Sequence, residues 1–110
     1  MSTRIKLCDL DAFLNQQVLK VNHPLNADKT IIIIHKDGQF FSYENVCPHF
    51  SVQLDYHAGQ FSTYQNQVIM CAHHSALFDI ETGLCIDGPC KGQSLIKVEN
   101  ERINQDIYFK

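Results

Sequence analysis

The stretch Thr30-Ile-Ile-Ile-Ile-His35 places four isoleucines in a row. β-Branched side chains favour extended backbone, and a strand with one wet face alternates apolar with polar residues. Ile31 to Ile34 do not alternate. Both faces of that strand are therefore expected to be covered, as in a small sandwich or barrel. The rest of the chain agrees: no segment keeps a helical apolar period for three turns, and short runs rich in Val, Ile, Phe, Tyr and Thr recur between turn residues. The expected fold class is all-β, with strands over 4–8, 17–21, 30–36, 39–44, 59–65, 67–71, 77–80, 84–87, 95–99 and 104–110. Asp37-Gly38, Asn66-Gln67 and Thr82-Gly83 are expected hairpin turns. Residues 8–16 predict one short helical turn, with Asp9 or Asp11 as its cap.

A chain of 110 residues suffices for one domain, burying about two-thirds of the surface its unfolded form exposes. No apolar run approaches the roughly 20 residues that span a bilayer, and the first residues lack the apolar core of a secretory signal. A soluble, cytoplasmic protein with no membrane association is expected. Five cysteines, Cys8, Cys47, Cys71, Cys85 and Cys90, form an odd set without an export signal, which predicts reduced thiols over a disulfide framework. The net charge of −3, with scattered basic residues, gives nucleic acid no electrostatic footing and suits a partner with a basic patch.

Residues from about 45 to 92 differ from the flanks, holding four of the six histidines and most of the cysteines and glycines. Within them stand Cys47-Pro48-His49 and Cys71-Ala72-His73-His74. They read C-x-H and then C-x-x-H, with 21 residues between His49 and Cys71. Thiolate and imidazole donors suit zinc or iron-sulfur chemistry, and two loops projecting from adjacent hairpins would bring four of them together. Either motif alone is a weak signal. The two in this order, followed by Phe78-Asp79, Thr82-Gly83 and Gly88-Pro89, are a strong one.

On these residues the sequence resembles the Rieske family, whose pattern is C-x-H, a spacer, then C-x-x-H. The resemblance extends through Cys47–Asp55 and to the FD, TG and GP pairs just named. It implies a single Rieske domain over 1–110: an antiparallel β sandwich base, with a small cluster-binding subdomain at about 45–92 carrying two ligand loops. It further implies one 2Fe-2S cluster, with Cys47 and Cys71 on one iron and His49 and His74 on the other. Two thiolates on a doubly positive cluster leave it near neutral, so an electron is added more easily than with four. That is why such centres lie at roughly −150 to +300 mV, against about −400 mV for the plant type.

In the respiratory members, the positions matching Val52 and His73 are cysteines joined in a disulfide, and those matching Ala76 and Phe78 carry hydroxyls that hydrogen-bond the cluster. This sequence has neither feature, as in the ferredoxin-type branch. Losing donors that favour the reduced state predicts a potential at the low end of the range. Ser51 and Ser75 stand where family members usually have glycine.

The remaining candidates have plainer readings. His73 is read as an exposed loop residue in reach of a partner, and His23, His35 and His57 as solvated. Cys8, Cys85 and Cys90 are read as small buried hydrophobes, although sequence leaves a Cys85–Cys90 link open. Phe40, Phe41, Phe61 and Phe109 read as packing residues. The function implied by the resemblance is a soluble ferredoxin, passing single electrons from a flavin-dependent reductase to the terminal oxygenase of an aromatic-ring-hydroxylating system. It is an electron-transfer component with no catalytic residues of its own. Two rivals are the Rieske-like small subunit of an NADH-dependent nitrite reductase and a zinc-stabilised structural module. A full Rieske oxygenase needs a second domain for its mononuclear iron, for which this chain is too short.

Overall fold

The structure is a computed structural model that describes residues 5–48, 53–55, 60–71 and 76–110. These form two compact units, one of residues 1–44 with 98–110 and the other of residues 45–97. No described helix is long and apolar enough to cross a membrane.

The first unit holds strands β1 (Ile5–Asp9), β2 (Val18–His23), β3 (Asn26–Lys36) and β4 (Gln39–Glu44) from its first segment. At the C-terminal end Val98, the second residue of β9 (Lys97–Val98), with β10 (Asn100–Ile103) and β11 (Asp106–Phe109), completes it. They pair as two sheets, β1-β11-β10 and β2-β3-β4-β9. The isoleucine run lies in the middle of β3, and Ile31, Ile32, Ile33 and Ile34 are all fully buried. Because successive strand residues face opposite sides, this run is covered on both faces. Ile31 and Ile33 join Val98 and Ile107 in the core between the sheets, ringed by Leu7, Cys8, Leu10, Phe13, Val21, Phe40 and Phe109. Asn100 ties the layers further, its Nδ2 donating to the Phe40 carbonyl at 3.1 Å and to Ser42 Oγ at 2.6 Å. The result is the antiparallel sandwich anticipated from the sequence.

Asp37-Gly38 forms the expected hairpin turn, with positive φ at both residues and Lys36 paired to Gln39 across it. The 3-10 turn Leu10–Phe13 is also where a helical turn was expected, but Asp9 at its N-cap makes no side-chain capping bond. Its carboxylate is no cap here. Several expected strands change: β3 begins at Asn26, four residues before its expected start, and β10 forms where no strand was expected. Residues 95–99 give only the two-residue β9, and the 104–110 strand loses Asn104 and Gln105 to a turn, with Asn104 at φ 57°. Asn104 adopts the left-handed conformation that asparagine tolerates best after glycine, so the chain reverses there and β10 pairs with β11.

Two histidines read as solvated are in fact half-buried packing residues. His35 stacks on Phe40 with centroids 4.8 Å apart, and His23 meets the Phe109 ring edge-on at 5.6 Å. Aromatic partners, on the paired strand for His35 and on the other sheet for His23, supply cover that a turn position or strand end does not reveal.

The second unit contains β5 (Ser62–Tyr64), β6 (Val68–Met70), β7 (Leu77–Asp79) and β8 (Cys85–Asp87), paired in that order. Its sheet is antiparallel throughout, and Ile69, Phe78, Ile80, Cys85 and Leu95 are buried. The strand expected over 59–65 shortens to β5, and the turn after it centres one residue early, on Gln65 and Asn66, both at positive φ. The Thr82-Gly83 turn is as expected. Asp79 organises it: its Oδ2 accepts from the Thr82 amide at 2.9 Å and the Thr82 hydroxyl at 2.8 Å, while the Gly83 amide donates to the Asp79 carbonyl. Gly83 takes φ 78°, a conformation open chiefly to glycine. The FD and TG pairs are thus the two halves of one turn.

Candidate metal centre

Cys47 follows β4 by three residues, and Cys71 directly follows β6. A strand end holds each cysteine at the mouth of a short loop. Both thiols are fully buried and neither is in a disulfide. His49 and His74, with His73, Ser51, Val52 and Ser75, lie outside the described residues, as does His57. Among the described residues no group of three or more His, Cys, Asp or Glu is placed to hold a metal ion.

The first loop is closed by a side chain that sequence reading passed over. Asn45, 1% exposed, accepts from the Leu54 amide through Oδ1 at 2.9 Å. Its Nδ2 donates to Asp55 Oδ1 at 3.0 Å and to Gln53 Oε1 at 3.4 Å. One asparagine therefore ties the segment before Cys47 to the segment at 53–55, bracketing Cys47 and His49. Asp55 is also nearly buried, and a buried amide this well matched fixes geometry because each lost partner leaves a polar group dry. The only sequence signal was a pair of polar residues, Asn45 and Asp55, flanking the loop, which surface residues also produce.

The second loop is closed by backbone: the Cys71 amide donates to the Ala76 carbonyl at 2.9 Å, bracketing residues 72–75. Ala76 is fully buried and so is Phe78, which sits in the centre of the sheet, opposite Ile69 on one side and Cys85 on the other. Neither position offers a hydroxyl.

A third segment packs against these. Gly88 adopts φ +105°, and a Cβ there would lie 2.7 Å from the Ala76 Cα. Only glycine fits, both for the backbone angle and for the approach. Two residues on, the buried Cys90 thiol lies 3.1 Å from Cys85 Sγ, and Cys85 Sγ lies 3.2 Å from the Asp87 carbonyl. Burial first, and then hydrogen bonding to Cys85, pushes the Cys90 thiol up to about 12, with Cys47 close enough to add to the effect. The third segment is therefore beside Cys47. Cys8, half-buried in the other unit, is pushed up to about 11 by burial and then by Asp9. It is a neutral packing residue, and Cys85 and Cys90 are buried as expected.

The donor chemistry suits a soft, thiolate-binding centre: two buried thiols outside any disulfide at two loop mouths, each loop closed by its own hydrogen bonds.

Comparison with curated proteins by sequence finds no match. Solved structures give matches to the fold. The ferredoxin of carbazole 1,9a-dioxygenase from Nocardioides aromaticivorans IC177 superposes with a TM-score of 0.79 at 17% identity, over 98% of this chain and 97% of that one. The Sphingomonas yanoikuyae B1 ferredoxin gives 0.78 at 19%, over 97% of each chain. A chain of the complex of reduced oxygenase and oxidized ferredoxin in carbazole 1,9a-dioxygenase gives 0.77 at 23%, over 96% of this chain and 91% of that one. The family model of the Rieske [2Fe-2S] domain matches residues 5–103, a span that includes every strand but β11 and both cysteine motifs. The chain belongs to the Rieske [2Fe-2S] domain family.

Proposed function

We propose that this protein is a one-electron carrier that holds one 2Fe-2S cluster, with Cys47 and Cys71 on one iron and His49 and His74 on the other. Residues 45–92 then form the cluster-binding subdomain of a single Rieske domain. The observation that carries the reading is the C-x-H and C-x-x-H pair inside the family match, with both of its cysteines buried at loop mouths and outside any disulfide. When bound, the cluster supplies one reversible electron site. The chain's own residues do the rest. Cys47 and Cys71 lose their protons to become ligands, and buried Ala76 and Phe78 present no hydroxyl to favour the reduced state. Asn45 and the Cys71–Ala76 hydrogen bond hold the loops in place of a disulfide.

The physiological direction we propose runs from a flavin-dependent reductase to a terminal oxygenase of aromatic-ring hydroxylation, in the cytoplasm. Ferredoxins of carbazole 1,9a-dioxygenase among the structural relatives support this assignment. Cysteines outside any disulfide suit a reducing compartment.

Protein purified anaerobically is expected to be red-brown, with two irons and two acid-labile sulfides per chain. His74→Ala is expected to lose the normal cluster and His73→Ala to keep it, read from the visible spectrum and the reduced-state electron resonance signal. A colourless, folded, zinc-loaded protein overturns the proposal, and iron loss from His73→Ala overturns the ligand assignment.

A further inference from the structure

The third segment holds two cysteines that the electron-carrier reading does not use. Cys85 ends its ladder with Phe78 in β8, and Cys90 lies five residues on. Backbone bonds fold the intervening residues back on themselves: the Gly92 amide donates to the Cys85 carbonyl at 3.2 Å, the Cys85 amide to the Gln93 carbonyl at 2.7 Å, and the Gln93 amide to the Cys90 carbonyl at 2.9 Å. The two sulfurs are 3.1 Å apart. A disulfide bond is about 2.05 Å long, so closure needs each sulfur to move only about half an ångström. Both thiols are 1% exposed. Neither belongs to the C-x-H or C-x-x-H motif.

We propose that Cys85 and Cys90 are a dithiol site that closes to an intramolecular disulfide by exchange with a small-molecule disulfide. One cysteine, as thiolate, attacks a sulfur of the small disulfide and expels one small thiolate. The other cysteine then attacks the resulting mixed disulfide and expels the second. Two protein thiols become one disulfide, one small disulfide becomes two thiols, and the two protons pass from the cysteines to the released thiolates or to water. Because both thiols are buried, the exchange is slow and passes through brief opening of the 88–93 turn. Once closed, the bond ties Gly88-Pro89 to β8 and fixes the segment that packs against Ala76.

The test uses the cluster-loaded protein, freed of reductant and equilibrated with oxidised glutathione until its labelling is constant, then quenched in acid, unfolded and alkylated. Peptide mass spectrometry is expected to find Cys85 and Cys90 protected together, in one cross-linked species lighter by two hydrogens, with dithiothreitol restoring both labels. Cys85→Ser is expected to abolish the cross-link while leaving the visible spectrum unchanged. If the wild-type cysteines stay fully alkylated, both in buffer and in mild urea that opens the turn, the proposal fails. It fails equally if Cys90 is found linked to Cys47. Iron content of the same sample, read separately, tells failure of the dithiol site from failure of the cluster assignment.

Discussion

Ala76 and Gly88 are the residues where the smallest change should say most. Ala76→Ser is expected to raise the reduction potential, because a hydroxyl near a cluster sulfur stabilises the extra negative charge of the reduced state. Charge-assisted hydrogen bonds are worth about 1.5 to 3 kcal/mol in total, and only the difference between redox states counts. With about 59 mV per tenfold change for one electron, a rise of several tens of millivolts is expected in voltammetry. An unchanged potential with an intact visible spectrum would show that this side chain does not face the centre. Gly88→Ala carries the opposite kind of information. Its backbone sits at φ +105° and its new methyl would meet the Ala76 Cα at 2.7 Å. Strained backbone alone costs about 1–3 kcal/mol, and the clash adds to it. A melting temperature lower by several degrees is expected, and a wild-type value would refute the packing argument.

At the scale of elements, each of the two loops is closed by a different device, and the devices should fail differently. Asn45→Ala removes one acceptor and two donor contacts, leaving the buried Leu54 amide without that partner. A buried group so stranded costs about 1–3 kcal/mol. The variant is expected to unfold at lower denaturant and to lose iron to a chelator faster than the wild type, whereas Asn45→Asp should keep the acceptor and show the smaller defect in chelation. Equal chelation rates for Asn45→Ala and wild type would remove Asn45 from the first loop's support. The turn of Asp79 and Thr82 was readable from sequence, since short polar side chains that bond their own backbone announce themselves within four residues. The Asn45 clamp was not, because its partners are eight to ten residues away and polar residues are equally at home in exposed loops.

For the whole molecule the relevant quantity is charge. A net −3 on 110 residues predicts steering toward a partner with a basic patch, an effect that weakens as salt shortens the Debye length from about 10 Å at 0.1 M to about 3 Å at 1 M. Stopped-flow reduction by a reductase is accordingly expected to slow severalfold over that range. A rate independent of salt would assign recognition to apolar contacts.

The sequence by itself determined the strand run at Ile31–Ile34, the Asp37-Gly38 and Thr82-Gly83 turns and the C-x-H and C-x-x-H pair, which points to four ligands that remain a proposal. These features are local: β-branching, glycine's access to positive φ and donor spacing act within a few residues. Tertiary structure alone decided that Asn104 turns the chain to make β10, that His23 and His35 pack on phenylalanines, and that Asn45 closes the first loop. It also decided that Cys85 and Cys90 meet at 3.1 Å. In each case the deciding partner is brought in by strand pairing or by the folding back of a loop. Neither arrangement leaves a mark in the residues on either side, because cover and hydrogen-bond satisfaction belong to the packed chain.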